Sequence, residues 1–476
     1  MEFETVIGLE VHVHLLTKSK AFCGCSTDFG NNPNSQTCPV CLGLPGSLPV
    51  LNKRALELAI KTALTLHCKI SGYIKFDRKN YFYPDLPKNF QISQYDLPLS
   101  SKGYLDIEIE GKPKRIGITR VHLEEDAGKL IHKEDYSLVD YNRSGIPLLE
   151  IVSEPDINSP FEAYEYLAGL KAILEYLEVS DCDMEKGSLR CDANISIREP
   201  GQKSLGKKTE LKNMNSFKAV KAALEFEAHR QAKILEEGGK LVQETRLWDD
   251  ESETTFCMRS KEEAHDYRYF PEPDLPYFSV DERKIDSLKK EIPELPKQKV
   301  GRFIKEYGLS DYDANTLAGD KAMADYFEAC LKHLNRPKEI ANWIIGPVSS
   351  QLNSRKLNIK NLNLRAQTLV KIIGLVSDGQ ISNLRAKDLL TEVIDTGGDP
   401  ETIMQEKEML QLSDKESLEN FVNTAIEKNP GPAKEYLGGK DNALSFLVGQ
   451  ALKASGGKAN PKIIKQMLEG KLLRNQ

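Results

Sequence analysis

A chain of 476 residues is too long for one ordinary hydrophobic core, so we expect two to four domains. Hydrophobic residues make up 40% of it, and no apolar run approaches the ~20 residues of a membrane helix, so we expect no membrane span or membrane partner. The net charge of −6 argues against a uniformly basic surface, but it does not exclude a local nucleic-acid-binding face. Residues 1–8 show no signal-peptide pattern, which predicts a cytoplasmic protein with reduced cysteines.

The first three hundred residues are dominated by strand-like alternation. In residues 7–14, Leu9, Val11 and Val13 fall on one face, and residues 189–197 repeat the pattern, which is typical of a sheet buried on one side. Between the strands, helices are predicted at residues 49–67 and 159–178, and from residue 216 to the glycine pair at 238–239. Together these patterns predict an α+β domain with a mainly antiparallel sheet and inserted helices.

Strand patterns fade after residues 293–296, which are typical of a proline-containing linker. Helical spacing appears at residues 322–334, 337–352 and 366–379, and after a break at 397–400 it returns at 415–428, 443–455 and 461–473. We therefore predict three domains, at residues 1–293, 294–398 and 399–476. Residues 431–476 hold 8 Lys/Arg against 3 Asp/Glu. This excess favours contact with a phosphate backbone, although such residues also merely solubilise short helices.

Four cysteines, Cys23, Cys25, Cys38 and Cys41, form two close pairs on a loop rich in turn formers. Two chelating pairs are typical of a tetrahedral zinc site, and four thiolates leave no open position for chemistry, so the predicted zinc is structural. The alternative is four unrelated thiols. The five other cysteines are isolated and are predicted to be small core residues.

A second feature is a set of charged strand segments. Glu10, His12 and His14 project to one face of their strand. Segments 120–128, 187–194 and 208–213 add His122, Glu124, Glu125, Asp126, Arg190, Asp192, Asn194, Glu210 and Lys212. Carboxylates that converge from several strands would suit Mg²⁺, which takes hard oxygen ligands and works with substrate phosphates. The alternative is a set of separate, solvated strand faces.

Residues 75–88 and 266–274 mix basic, aromatic and proline residues. Rigid loops of this kind suit the stacking of a base or ribose and contact with phosphate; the alternative is a pair of loops packed on a sheet edge. The sequence contains no G-x-x-x-x-G-K-[ST] phosphate loop, no G-x-S-x-G elbow and no amidase nucleophile loop. If the protein uses ammonia, we expect another chain to supply it.

Ten segments closely resemble, in family order, the B subunits of bacterial aspartyl/glutamyl-tRNA amidotransferases. They are residues 7–12, 76–84, 122–129, 140–147, 150–156, 187–195, 210–213, 266–274, 446–450 and 457–461. The resemblance covers nearly the whole chain. It implies a cradle-shaped catalytic domain, a helical domain and a helical tail that approaches tRNA, in a heterotrimer with an amidase-type A subunit and a small C subunit.

The resemblance also implies a carbon–nitrogen ligase reaction. Ammonia released from glutamine or asparagine on the A subunit travels to this subunit. Here ATP phosphorylates the side-chain carboxylate of Glu-tRNA(Gln) and/or Asp-tRNA(Asn), and ammonia displaces the phosphate to give Gln-tRNA(Gln) or Asn-tRNA(Asn). Mg²⁺ would neutralise charge on the transferring phosphoryl group.

The resemblance assigns roles to individual residues. Catalytic roles fall on Glu10, His12, Lys79, Glu125, Asp192 and Glu210. Expected Mg²⁺ ligands are Glu10, His12, Glu125, Glu150 and Glu210. Tyr81, Lys88 and Arg190 are assigned to the substrate or ammonia route. Only some members of the family have the four cysteines, so zinc is not required for the chemistry.

Two rival hypotheses belong to other functional classes. A non-catalytic tRNA-binding scaffold would make the acidic strand residues dispensable. A self-contained cysteine glutaminase would need a nucleophile beside a histidine; Cys68 follows His67, but neighbours on a helix do not face each other.

Overall fold

The computed structural model describes residues 3–260, 266–407, 409, 415–456 and 459–474. The chain divides into two compact units, Met1–Leu295 and Pro296–Gln476. Within these described ranges, no helix is long and apolar enough to cross a membrane. Gly457 and Lys458 of the C-terminal motif lie outside the described residues.

In its described residues, the first unit consists of strands with four helices between and after them. In chain order its strands are β1 (Glu4–His14), β2 (Lys69–Ile70), β3 (Tyr73–Ile74), β4 (Asp77–Asn80), β5 (Phe90–Ser93), β6 (Ser100–Ile109), β7 (Lys112–Glu125), β8 (Lys129–His132), β9 (Ser137–Asp140), β10 (Pro147–Ser153), β11 (Leu189–Arg198), β12 (Thr209–Lys212), β13 (Glu244–Asp249), β14 (Thr254–Ser260), β15 (Phe270–Pro271) and β16 (Phe278–Ser279). Its helices are α1 (Lys53–Thr65), α2 (Pro160–Tyr176), α3 (Phe217–Glu236) and α4 (Glu282–Lys290).

The main sheet has nine strands in the order β14-β13-β12-β11-β1-β10-β7-β6-β2. All neighbours are antiparallel except β12 and β13, which run parallel. β1 lies in the middle, paired with β11 on one side and with β10 on the other. The mainly antiparallel sheet with inserted helices confirms the predicted α+β class.

One face of this sheet is the hydrophobic core, and α2 and α3 cover it. Leu9, Val11 and Val13 of β1 are fully buried there, as their alternation predicts. The helices start at polar caps: the side chain of Ser159 accepts a hydrogen bond from the backbone of Glu162, and Ser216 caps α3 in the same way. The three helices predicted in this region are confirmed, with ends shifted by a few residues.

A small sheet, ordered β15-β4-β5, lies beside the main one. The prediction of a loop at residues 75–88 is wrong in part, because Asp77–Asn80 form strand β4 and pair with both β5 and β15. Two further pairs, β16 with β3 and β8 with β9, complete the first unit.

In the described residues of the second unit, the elements are helices. Its α-helices are α5 (Pro296–Tyr307), α6 (Asp311–Ala318), α7 (Lys321–Leu331), α8 (Pro337–Trp343), α9 (Ser349–Arg355), α10 (Ala366–Ser377), α11 (Asn383–Thr396), α12 (Pro400–Glu406), α13 (Lys415–Lys428), α14 (Pro430–Leu437), α15 (Asp441–Ala454) and α16 (Pro461–Arg474). A π-helical turn, Ile344–Val348, joins α8 to α9 and contains Pro347, so the helix predicted at 337–352 is interrupted.

Two hydrophobic clusters lie in the second unit. The first extends from Phe303 to Met409, and the second from Leu418 to Leu472. α12 belongs to the first cluster through Ile403 and Met404. The glycine-proline break at 397–400 therefore lies within the first cluster, and the change from one core to the other comes after Met409.

Candidate active site and four-cysteine centre

The register of β1 assembles one row of polar side chains. His12 lies opposite Arg190 of β11 and opposite Glu150 of β10, and Glu150 lies opposite His122 of β7. Directly opposed residues share a face of the sheet, so the row crosses four strands on the side away from the core. The pairing of distant strands, rather than any local motif, thus creates the site.

His12, Glu124 and Glu150 form a compact group of potential metal ligands. One ligand atom from each lies within 4.8 Å of the others. The His12 Nε2 atom is 3.2 Å from a Glu150 oxygen and 3.7 Å from a Glu124 oxygen. These residues line a cavity of about 590 Å³, which Lys79 of β4 lines from the small sheet.

The charged side chains in this cavity shift the pKa values of their neighbours. Burial alone would lower the pKa of His12, but the hydrogen bond and charge of Glu150, with the charge of Glu124, raise it. At His122 burial prevails and lowers the pKa, which favours the neutral imidazole. Burial would also lower the pKa of Lys79, but the charge of Glu124 is the largest of several influences that raise it. Lys79 is therefore a firmly cationic group facing carboxylates.

A second acidic group lines the same cavity, on β1, β11 and β12. Asp192 pairs opposite Glu10, and Asn194 donates a hydrogen bond of 3.1 Å to the Glu10 carboxylate. The Lys212 ammonium contacts Asp192 and lies 3.2 Å from Glu210. Lysine thus supplies the positive charge between these carboxylates.

Asp126 contacts three basic side chains at the cavity. Its Oδ2 atom lies 2.6 Å from His14 Nε2, 2.8 Å from Arg190 and 3.4 Å from Arg143. Burial would raise the pKa of Asp126, but the charge of Arg190 and the hydrogen bond of His14 hold it far below its usual range. Asp126 therefore remains ionised and orients Arg190, which lines the cavity.

Glu124 and Glu125 are adjacent on β7 but serve different cavities. Glu125 forms an ion pair with Lys88 and accepts a 2.9 Å hydrogen bond from the backbone of Ile92. Glu125 and Lys88 line a separate cavity of about 230 Å³. Strand alternation sends neighbouring side chains to opposite sides. The structure therefore brings Glu124, and not Glu125, together with His12, while the catalytic role expected of Glu125 stays a prediction.

Eight of the predicted site residues share the large cavity: Glu10, His12, Lys79, Tyr81, Glu150, Arg190, Asp192 and Glu210. Sequence reasoning assigned no specific role to His122, Glu124, Asp126, Arg143 or Lys212, which also line it. The i, i+2 spacing of His122 and Glu124 matches that of Glu10 and His12, and this signal could have identified them.

The residues present fit a hard divalent cation. Glu124 and Glu150 offer carboxylate oxygens, and His12 offers one imidazole nitrogen. Mg²⁺ commonly takes one or two protein carboxylates and leaves its other positions to water and substrate phosphates. The single imidazole also suits first-row metals such as Mn²⁺.

The four cysteine sulfurs lie within 4.8 Å of one another, and the backbone N–H of Cys38 donates to the Cys41 sulfur at 3.2 Å. A zinc ion about 2.3 Å from each sulfur needs sulfurs roughly 3.8 Å apart, so the group fits a tetrahedral ion. The hydrogen bond from Cys23 is the main cause that holds the pKa of Cys41 below its usual range.

The cysteine loop is also a wall of the smaller cavity. Cys23, Cys41 and Gly43 line it together with Lys88. A β-carbon at Gly43 would overlap Cγ of Lys88, and the backbone there has φ +66°, so only glycine lets the lysine side chain pass.

The thiol of Cys68 is unsuited to nucleophilic catalysis. It is buried, and burial raises its pKa to about 11. The ring of its neighbour His67 stacks on Tyr104 with 4.3 Å between ring centres. This geometry gives no support to the cysteine glutaminase hypothesis.

Comparison with known proteins identifies the family of this fold and site. Residues 5–286 match the GatB/GatE catalytic domain, and residues 325–472 match the GatB domain. The chain is 54% identical to a protein of Carboxydothermus hydrogenoformans over 99% of both chains, and 54% identical to one of Thermoanaerobacter sp. over 99% of this chain and 100% of the relative. Both relatives carry the name of the B subunit of aspartyl/glutamyl-tRNA(Asn/Gln) amidotransferase. The polar row, its cavity and the helical unit are thus those of a chain that belongs to the GatB/GatE family.

Proposed function

We propose that this chain is the ATP-using B subunit of a tRNA-dependent amidotransferase that acts on Glu-tRNA(Gln) and/or Asp-tRNA(Asn). The observation that carries the proposal is the group of His12, Glu124 and Glu150 in a cavity within the matched catalytic domain. The name of the relatives, which specifies these aminoacyl-tRNAs, supports the substrate class.

The proposed chemistry explains why the cavity is lined by both acidic and basic side chains. A carboxylate is a poor acyl donor until phosphorylation gives it a leaving group. One side-chain oxygen of the aminoacyl group attacks the γ-phosphorus of ATP, and ADP leaves. Ammonia then attacks the acyl carbon, phosphate leaves and the nitrogen loses a proton. Mg²⁺, when bound, supplies charge neutralisation to the phosphoryl group.

The residues have distinct roles in this proposal. His12, Glu124 and Glu150 would hold the cation, and Glu10 and Glu210, which the resemblance also gives as ligands, line the same cavity. Lys79 and Arg190 supply positive charge to phosphate or to the substrate carboxylate. Asp126 keeps Arg190 oriented, Asp192 positions Lys212, and Tyr81 shapes the wall. Electrostatic positioning of this kind is the main source of rate in phosphoryl transfer.

We assign Lys88 and Glu125 to the ammonia route, because they form a buried ion pair in the separate smaller cavity. The source of ammonia would be an amidase-type A subunit, in a cytoplasmic heterotrimer with a small C subunit. The four-cysteine centre would hold one structural zinc ion.

The test measures transfer of the γ-phosphate of labelled ATP to mischarged tRNA by the complete complex. His12→Ala and Glu124→Gln should each lower the rate by about 100-fold or more while tRNA affinity changes little, since they remove charge stabilisation of the transition state. Glu110→Gln, on an exposed turn of the same unit, is the matched control. Wild-type rates in both site variants would overturn the proposal and favour the scaffold hypothesis.

A further inference from the structure

Lys20 is a lysine with no exposed surface, next to the four-cysteine centre. The segment that carries it is held to the first cysteine pair, because its backbone N–H donates to the carbonyl of Cys25 at 3.0 Å and Ser19 forms a β-bridge with Ser26. A buried ammonium loses its hydration and needs a negative partner nearby. The atoms around Lys20 therefore indicate which negative group its charge neutralises.

The partner of Lys20 is sulfur. Its Nζ atom lies 3.7 Å from the Cys41 sulfur and 3.2 Å from the carbonyl oxygen of Tyr141. Among the described residues, no carboxylate oxygen lies within 4.0 Å of it. Glu125, which lines the same cavity, is already paired with Lys88.

Other buried lysines of this chain follow the ordinary pattern. Lys61 is paired with Glu291 at 2.5 Å, and Lys75 with Asp77 at 3.0 Å. Lys299 is paired with Glu328 at 2.7 Å. Lys20 differs because a cysteine occupies the place of the carboxylate.

We propose that Lys20 is the buried counter-charge of the four-cysteine centre and strengthens its hold on a thiophilic divalent metal ion. Four thiolates around such an ion carry a net charge of −2. Cys41 is the buried cysteine of the four, so its sulfur is the one that water solvates least. The ammonium of Lys20 neutralises charge at that sulfur, whereas the backbone N–H of Cys38 contributes only a dipole. Lys20 is thus a positioning residue that acts through a metal ligand.

The first test compares Zn²⁺ affinity in the full chain by competition with a chromophoric chelator. Lys20→Gln keeps a hydrogen-bond donor but removes the charge, and should weaken Zn²⁺ binding by about 10- to 100-fold, the range usual for groups that support metal ligands. Lys20→Arg keeps the charge and should bind nearly as tightly as the wild type. The control is Lys61→Gln, a buried lysine whose partner is Glu291, and its Zn²⁺ affinity should not change.

The second test uses Co²⁺ at the same site and reads the sulfur-to-metal charge-transfer bands. Positive charge beside a sulfur stabilises its lone pairs, so these bands should move to lower energy in Lys20→Gln and keep their place in Lys61→Gln. Should Lys20→Gln fail to fold, Lys20→Met, of similar length and with no polar group to satisfy, takes its place. Wild-type affinity and an unmoved spectrum in the charge-free variant would overturn the proposal.

Discussion

The glutamates at positions 124 and 125 show that a shift of one residue along a strand changes the cavity that a side chain lines. Both are buried, and both carry the same carboxylate. Strand alternation directs one toward His12 and the other toward Lys88. Strand β5 alternates in the same way, with Ile92 lining the small cavity and Gln91 and Ser93 lining the large one. Two chemical tasks, activation of the carboxylate and passage of ammonia, can be tested by substituting neighbours in sequence.

Glu125→Gln and Lys88→Met should reduce glutamine-dependent amide formation by about 10-fold or more while leaving γ-phosphate transfer to mischarged tRNA near the wild-type rate, since neither residue faces the phosphoryl group. The measurement runs both assays on the same complex. Loss of phosphate transfer in both variants would place Glu125 in the phosphorylation site after all.

Asp126 predicts an acid-dependent contribution to stability. Because its pKa is lowered by Arg190 and His14, the stabilisation is complete above the ordinary carboxyl range near ~4 and is lost as pH falls below it. Asp126→Asn should lower the free energy of unfolding at pH 7 by about 3–5 kcal/mol, as expected for a broken buried ion pair, and the deficit should shrink toward pH 3.

Urea unfolding at several pH values measures this contribution. The control is Asp106→Asn, which removes an exposed pair with Arg115 and should cost less than about 1 kcal/mol. A deficit in Asp126→Asn that does not vary with pH would contradict the assignment.

At the scale of elements, local signals in the sequence located several helices and two strands of the main sheet. Polar caps and glycine stops locate α2 and α3, and alternation locates β1 and β11. The neighbours of β1 were not predictable, because β10 and β11 lie more than a hundred residues away and pairing depends on the folded sheet. The role given to Glu125 rather than Glu124 came from the family resemblance, and the cavity that each carboxylate lines depends on the folded sheet. Strand β4 was missed because a four-residue strand with Arg, Lys and Asn has no apolar alternation.

The loop that carries the cysteines is predicted to contain about one zinc ion per molecule. Cys38→Ser should lose most of the metal and lower the thermal midpoint by about 5 °C or more, while turnover per folded molecule changes little. Elemental analysis and thermal unfolding check this, with Cys257→Ser, an exposed cysteine on β14, as the control. Full zinc content in Cys38→Ser would exclude the four-thiolate site.

At the scale of the whole molecule, the C-terminal tail has a small hydrophobic core of its own. Leu418 and Val422 of α13 pack with Leu447 and Leu468 in the second cluster. A truncation at residue 431 would therefore cut this cluster and expose α13. Charge substitutions on the intact tail give a cleaner test of tRNA contact than a deletion does.

The triple variant Lys453→Gln, Lys462→Gln and Lys465→Gln removes three exposed charges of the tail. If these lysines contact phosphates, tRNA affinity should fall and the slope of log affinity against log salt should flatten by roughly 2–3, about 0.7–0.9 for each contact. A salt titration measures this, with the exposed Lys69, Lys102 and Lys112 of the first unit substituted as the control. Equal slopes in both triple variants would mean that the tail lysines do not touch tRNA.

The central place of β1 in the sheet has a consequence for synthesis on the ribosome. β1 is made before its two partners, and β10 begins only at Pro147. At common elongation rates the ~130 residues between them take on the order of ten seconds to emerge. During that time the strand offers an apolar face and two unpaired edges, which are the features that chaperones bind and that promote aggregation. The nascent chain should therefore depend on protection until β10 and β11 have emerged.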